Sequence, residues 1–163
     1  KKNNSKSFKL SKNEKERMAV WSGRKAAFPA CGAMAPDYYC MDGSIPRGKL
    51  SEILKEITRL SKKYNLAVAN GFHAGDGNLH VNIIKGTLSD TFWHQELHVP
   101  IRKLFEFVHA LGGTISGEHG IGLVQKNYLD IVFSPAQIAL MKAIKHVFDP
   151  KGILNPGKIF PDN

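Results

Sequence analysis

No stretch of these 163 residues approaches the roughly 18 consecutive apolar side chains that a membrane-spanning helix needs, and no secretory leader opens the chain. Membrane association is therefore expected only through partners. Cysteine is scarce, since Cys31 and Cys40 are not spaced as CxxC and are too few to build a disulfide framework. That excludes a small disulfide-stapled module and fits a reducing cytoplasm. Acidic residues are outnumbered, 14 against 23 basic ones, which leaves a formal net charge of +9. The excess is lopsided: Lys1, Lys2, Lys6, Lys9, Lys12, Lys15 and Arg17 meet only Glu14 and Glu16. This start is rich in Lys, Asn and Ser and has no series of interleaved aromatics. It reads as a solvated linker or truncated edge over residues 1–16 rather than a nucleic-acid surface. The remaining positive charge mildly favours an anionic substrate.

What is present is one domain's length of chain, 42% hydrophobic and so able to bury a real core. Residues 17–27 allow a short helical piece, after which a Gly-, Ala- and Pro-rich loop runs to about 39. Residues 38–45 read as a strand. Leu50, Ile53, Leu54, Ile57 and Leu60 recur every three or four residues, which predicts an amphipathic helix ending near Tyr64. Residues 66–72 and 79–84 read as strands joined through the tight turn Gly75-Asp76-Gly77-Asn78. A helix over 92–111, capped by Ser89 or Asp90 and stopped by Gly112-Gly113, leads to a short strand at 114–117. Helical stretches at 123–133 and 135–148 follow, the second with Ser134 as cap and Pro135 at its first position. The order β-α-β-β-α-β predicts an α+β domain with a ferredoxin-like sheet, helices packed on one face, and C-terminal helices outside that unit.

Three clusters carry chemistry. In His73-Ala74-Gly75-Asp76-Gly77-Asn78-Leu79-His80 one histidine ends a strand and the other begins the next, so a hairpin can aim both imidazoles at one point. Neutral imidazole is the commonest metal-binding side chain. Asn82, two residues beyond His80, falls on the same strand face. In Gly117-Glu118-His119-Gly120-Ile121-Gly122 a carboxylate and an imidazole stand side by side between glycines. Glu118 can complete a His/His/Glu metal site suited to Zn(II), Mn(II) or Fe(II), leaving His119 as a base. Arg24, in Trp21-Ser22-Gly23-Arg24-Lys25, can hold a carboxylate bidentately. Asp76 is read as a turn residue. His94-Gln95-Glu96-Leu97-His98 imitates the HExxH of zinc proteases, but its Glu stands one place late and Pro100 follows. His109 and His146 are read as surface or packing residues. On residues alone a stand-alone metal- or ligand-binding module and a zinc hydrolase with His119 as base stay open beside a redox enzyme.

Taken together, Trp21-x-x-Arg24-Lys25, His73-x-Gly-Asp-Gly-Asn-Leu-His80, Gly117-Glu-His-Gly-Ile-Gly122 and Phe148-Asp-Pro-Lys-Gly-Ile-Leu-Asn-Pro-Gly-Lys158 resemble the FAD-linked oxidases of the vanillyl-alcohol oxidase type. That family includes D-lactate, D-2-hydroxyglutarate and glycolate dehydrogenases. The run from Ala27-Phe28-Pro29-Ala30 to Pro36-Asp-Tyr-Tyr-Cys-Met-Asp-Gly-Ser-Ile-Pro46 looks especially like the FAD-binding subunits of glycolate oxidases. The resemblance covers about residues 14–160. It implies that His73, His80 and Glu118 bind a divalent metal, Zn or Mn, and that His119 is the general base. Arg24 and Asn82 would then hold a 2-hydroxy acid, whose hydride passes to FAD. It also implies that residues 17–163 form the C-terminal substrate domain, with the flavin domain absent. Such a chain alone should bind FAD poorly and not turn over, although Asn155 would touch the cofactor. Phe28 and Cys40 stand where relatives that take a second carboxylate place polar or cationic groups, so glycolate or D-lactate is the expected substrate. The implied partners are the flavin domain, a second flavin subunit and an iron-sulfur subunit, with no nucleic acid. The implied location is cytoplasmic, peripheral to the inner membrane through those subunits.

Overall fold

A computed structural model of the chain describes residues 7–35 and 37–161, with Phe28 described in its backbone alone. Helices α1 (Glu14–Lys25) and α2 (Ala27–Met34) lead into strand β1 (Tyr38–Ser44). Helix α3 (Leu50–Tyr64), strands β2 (Ala67–Asn70) and β3 (Asn78–Ile84), and helices α4 (His98–Ala110) and α5 (Pro135–Phe148) complete the order. The three strands form one antiparallel sheet in the order β1-β3-β2.

Strand alternation gives this sheet two unlike faces. Met41 pairs with Val81, while Gly43 faces Leu79 and Val68 faces Ile83. These apolar residues meet Ile53, Ile57 and Leu60 of α3 and Ile101, Leu104, Phe105 and Val108 of α4 in one buried cluster. The helical spacing of the α3 set is what turns a single stripe of that helix to the sheet. Burying each of these side chains contributes about 1.5–3 kcal/mol. The opposite face is also buried but polar: Asp42 pairs with His80, Cys40 with Asn82 and Ser44 with Asn78. Asp42, Asn78, His80 and Asn82 are all buried.

The structure departs from the sequence reading at four places. Helices lie on both faces of the sheet, since α2 packs against β3 from the side away from α3 and α4. The α2 segment looks like a loop because it contains Pro29 and Gly32. Pro29, however, falls in the first turn, where no intrahelical N–H is required. The strand expected at 114–117 is reduced to one bridge, Ser44 with Thr114. Beyond it the backbone N–H groups leave the β1 backbone ladder and bond instead to the side-chain carboxylate of Asp42 in that strand. The helix expected over 92–111 opens as a wide π-turn, Phe92–Glu96, before α4 begins. Pro100 has no N–H to return to the preceding turn, where Leu97 N–H instead reaches the Phe92 carbonyl. Residues 123–133 give only the 3-10 turn Lys126–Ile131, which Arg102 ties to α4 through both Asp130 oxygens and the Asn127 carbonyl.

α5 begins as expected. The Ser134 hydroxyl accepts from Gln137 N–H, the Gln137 side chain accepts from Ser134 N–H, and Pro135 takes the first position. No α5 residue is buried, and Leu140, Ile144, Val147 and Phe148 are exposed. Among the described residues no helix is long and apolar enough to cross a membrane.

Candidate active site

The site grows from the polar face of the sheet. β3 carries His80 at its buried centre, and the turn before it folds His73 back. His73 N–H donates to the Asn78 carbonyl and Asp76 N–H to the His73 carbonyl. Asp76 is thus an exposed turn residue, as expected. Gly77 makes the turn workable. Its φ is +78°, and a Cβ there would sit 2.1 Å from the Ile45 carbonyl oxygen. The two imidazoles meet edge to face with ring centres 5.2 Å apart.

The loop after Thr114 brings the remaining groups over this hairpin. Glu118 Oε1 lies 3.0 Å from His80 Nε2, 3.8 Å from His73 Nε2 and 3.5 Å from His119 Nε2. The His119 ring stacks on His80 at 4.8 Å. One donor atom each from His73, His80 and Glu118 falls within 4.8 Å of the other two. Asp42, His80 and His119 form a second such set, sharing His80. Burial pulls the His80 imidazole below its ordinary pKa, outweighing the opposing pull of Glu118. A neutral, desolvated imidazole flanked by a second imidazole and a carboxylate is a donor set that suits a divalent metal. The residues present therefore fit the metal that the sequence reading expects.

Arg24 and Asn82 are brought together elsewhere on the same face. They line a small cavity with Ala27, Cys31, Ala69, Asn70 and Gly71. Asn82 donates to the Ala69 and His80 carbonyls, and its Oδ1 has no partner among the described residues. A larger open cavity, about 390 Å³, is lined by His119, Cys40, Tyr39 and residues 120–125. Burial and the neighbouring Asp42 push the Cys40 thiol up to about 11. The side chain of Phe28 lies outside the described residues. Asn155 stands in an exposed C-terminal loop with φ +49°, its Oδ1 accepting from Lys158. That loop joins the site's rim, because Ile159 N–H donates to the Gly122 carbonyl. His94, Glu96, His98, His109 and His146 are exposed and belong to neither donor set.

Sequence reasoning missed Asp42. It is 1% exposed, and its carboxylate takes the N–H groups of Gly117, Glu118 and His119 together with the Ser116 hydroxyl. The available signal was an ionisable residue between Met41 and Gly43 inside a strand. Such a residue is rarely buried without partners.

The family model described as "FAD linked oxidases, C-terminal domain" matches residues 1–159, including the Lys-rich start. The chain belongs to this family. Among curated relatives of this FAD-linked oxidase domain, the glycolate oxidase subunit GlcD of Escherichia coli (strain K12) is 46% identical over 153 residues, covering 94% of this chain and 30% of the relative. The D-2-hydroxyglutarate dehydrogenase of Stutzerimonas stutzeri (strain A1501) is 38% identical over 154 residues, covering 93% and 33%. The D-lactate dehydrogenase of Anaerostipes hadrus is 35% identical over 140 residues, covering 86% and 30%. The chain spans about a third of the length of these relatives.

Proposed function

We propose that this domain is the substrate- and metal-holding part of an FAD-dependent 2-hydroxy-acid dehydrogenase that oxidises glycolate or D-lactate to the 2-oxo acid. The observation that carries the reading is the convergence of His73, His80 and Glu118 with His119 beside them, in a chain that belongs to the FAD-linked oxidases. His73, His80 and Glu118 would hold a divalent metal, Zn or Mn, which when bound would neutralise charge on the substrate's oxygens. The flavin, held mainly by a domain outside this chain, supplies the two-electron acceptor.

His119 takes the hydroxyl proton in this reading. Its ring is half-exposed at the edge of the open cavity, within reach of a bound hydroxyl. Arg24, on the last turn of α1, and Asn82, whose buried Oδ1 is unpaired among the described residues, would bind the acid. Cys40 lines the cavity beside His119, and a thiol supplies no positive charge to hold a second carboxylate. That favours a small monoacid. Asn155 would approach the flavin from the loop joined to Gly122. We read the Ser44–Thr114 bridge as the stub of a fourth strand in a ferredoxin-like unit. The flavin domain, a second flavin subunit and an iron-sulfur subunit are the proposed partners, in a cytoplasmic complex at the inner membrane.

Elemental analysis after chelation and reloading with Zn(II) or Mn(II) tests the metal site. About one metal per chain is expected in the wild type, with His80→Ala and Glu118→Ala each weakening binding ~10–100-fold or more. Metal content unaffected by either substitution would withdraw the assignment.

A further inference from the structure

Glu118 and His119 sit on a loop bracketed by Gly117 and Gly120, half-exposed, with no strand or helix to fix them. Their positions are nonetheless set from below. Asp42, in the middle of β1, lies directly opposite His80 in the sheet register and points to the same polar face. Its Oδ2 accepts four donors: the Ser116 hydroxyl at 3.0 Å, Gly117 N–H at 2.9 Å, Glu118 N–H at 3.0 Å and His119 N–H at 2.8 Å. Its Oδ1 takes a longer contact from Glu118 N–H at 3.3 Å and stands 3.8 Å from His80 Nε2. Three consecutive backbone N–H groups converging on one anion form a concave nest, here filled by the protein's own carboxylate. Charge-assisted bonds of this kind are about twice as strong as neutral ones. β1, which carries no ligand of the His73/His80/Glu118 set, thereby reaches across to the loop that carries one.

We propose that Asp42 is the positioning residue of this site, fixing Glu118 and the base His119 against the His73–His80 hairpin without itself touching the metal. The inference rests on the metal site proposed above, yet it makes a claim of its own. Asp42 also belongs to the alternative donor set with His80 and His119, so the proposal has a direct rival in which Asp42 is a ligand. Oδ2 is filled by its four donors, so in the rival reading the ligand atom is Oδ1, which keeps only the longer Glu118 contact. An asparagine oxygen can occupy the same nest but leaves no second, anionic oxygen to ligate, so the asparagine variant separates positioning from ligation.

The test uses the 163-residue chain and two readouts. The first needs no metal: amide exchange followed by NMR. Gly117, Glu118 and His119 are expected to exchange far more slowly than Gly122 and Leu123 on the same loop, whereas equal rates would overturn the proposal. The second is Co(II) titration, read by the metal's visible absorption. Asp42→Ala is expected to weaken binding at least about tenfold and to shift the absorption band. Asp42→Asn, which keeps an acceptor oxygen in the nest, is expected to restore most of the affinity and the wild-type band. Equal losses in both variants would mean that Asp42 is a ligand, and no loss in either would mean that the nest positions nothing that matters; each outcome sinks the proposal. A wild-type chain that binds no Co(II) would remove the metal reading, and the exchange measurement alone would then decide whether Asp42 holds the loop. The same measurement decides the matter if Asp42→Ala does not fold.

Discussion

Gly117 leaves no space for even a methyl group: a Cβ there would lie 2.4 Å from Asn78 Oδ1 and 3.0 Å from Asp42 Oδ1. Gly117→Ala should therefore push the loop out of its nest, costing about 1–3 kcal/mol in urea denaturation with a fall in metal affinity. An unchanged midpoint would show that the loop accommodates the methyl freely. Cys40 gives a second residue-scale prediction. The thiolate is the reactive form, so a thiol raised to about 11 should resist iodoacetamide at pH 8 and become reactive only in strongly alkaline solution, as read by mass spectrometry of the Cys40 peptide. Rapid labelling at pH 8 would contradict the burial that raises it. At this scale the grouping was legible, because His73 and His80 flank a glycine-rich turn and Glu118 and His119 stand side by side between glycines. Asp42 was not legible. Its role depends on lying opposite His80 across two strands, and register is invisible until the strands are paired.

Among the elements, α5 ends on the buried Asp149, whose carboxylate accepts from Lys145 Nζ and from the N–H groups of Ile153 and Leu154. The Lys145 ammonium, with those two N–H groups, holds the carboxyl below its ordinary value. A depressed folded value means the stabilisation is present above the unfolded carboxyl's pKa, about 3.9, and fades as pH falls through the folded one. Amide protection at Ile153 and Leu154, measured against the intrinsic exchange rate at each pH, should fall on acidification below that point, and Asp149→Asn should abolish that fall. At the other end, Ser134→Ala should cost about 1 kcal/mol of local helix stability, seen as faster exchange in the first turns of α5. α3 and α5 could be read from periodicity and capping because both signals are local. The π-turn before α4 and the truncated fourth strand could not. One follows from how Pro100 reshapes the turn behind it, the other from N–H groups diverted to a carboxylate more than 70 residues away.

For the molecule as a whole, stability resides in the apolar side of the sheet. Phe105, packed on Tyr128 with ring centres 5.1 Å apart, is the largest fully buried side chain there. Phe105→Ala should cost about 3–5 kcal/mol and lower the melting temperature by roughly 6–20 degrees, while surface changes on α5 should leave it untouched. The separation of a stabilising face from a chemical face could be guessed from alternation within each strand, but not which strand would supply which partner. The nest at Asp42 has a kinetic consequence. Its bonds join residues 74 to 77 positions apart, so the ring they close is among the last to become worth closing as the chain folds. The sheet and its α3–α4 cover can form first and leave the Glu118–His119 loop adrift. On refolding, secondary structure should therefore recover before the capacity to bind a metal, with a measurable lag between the two.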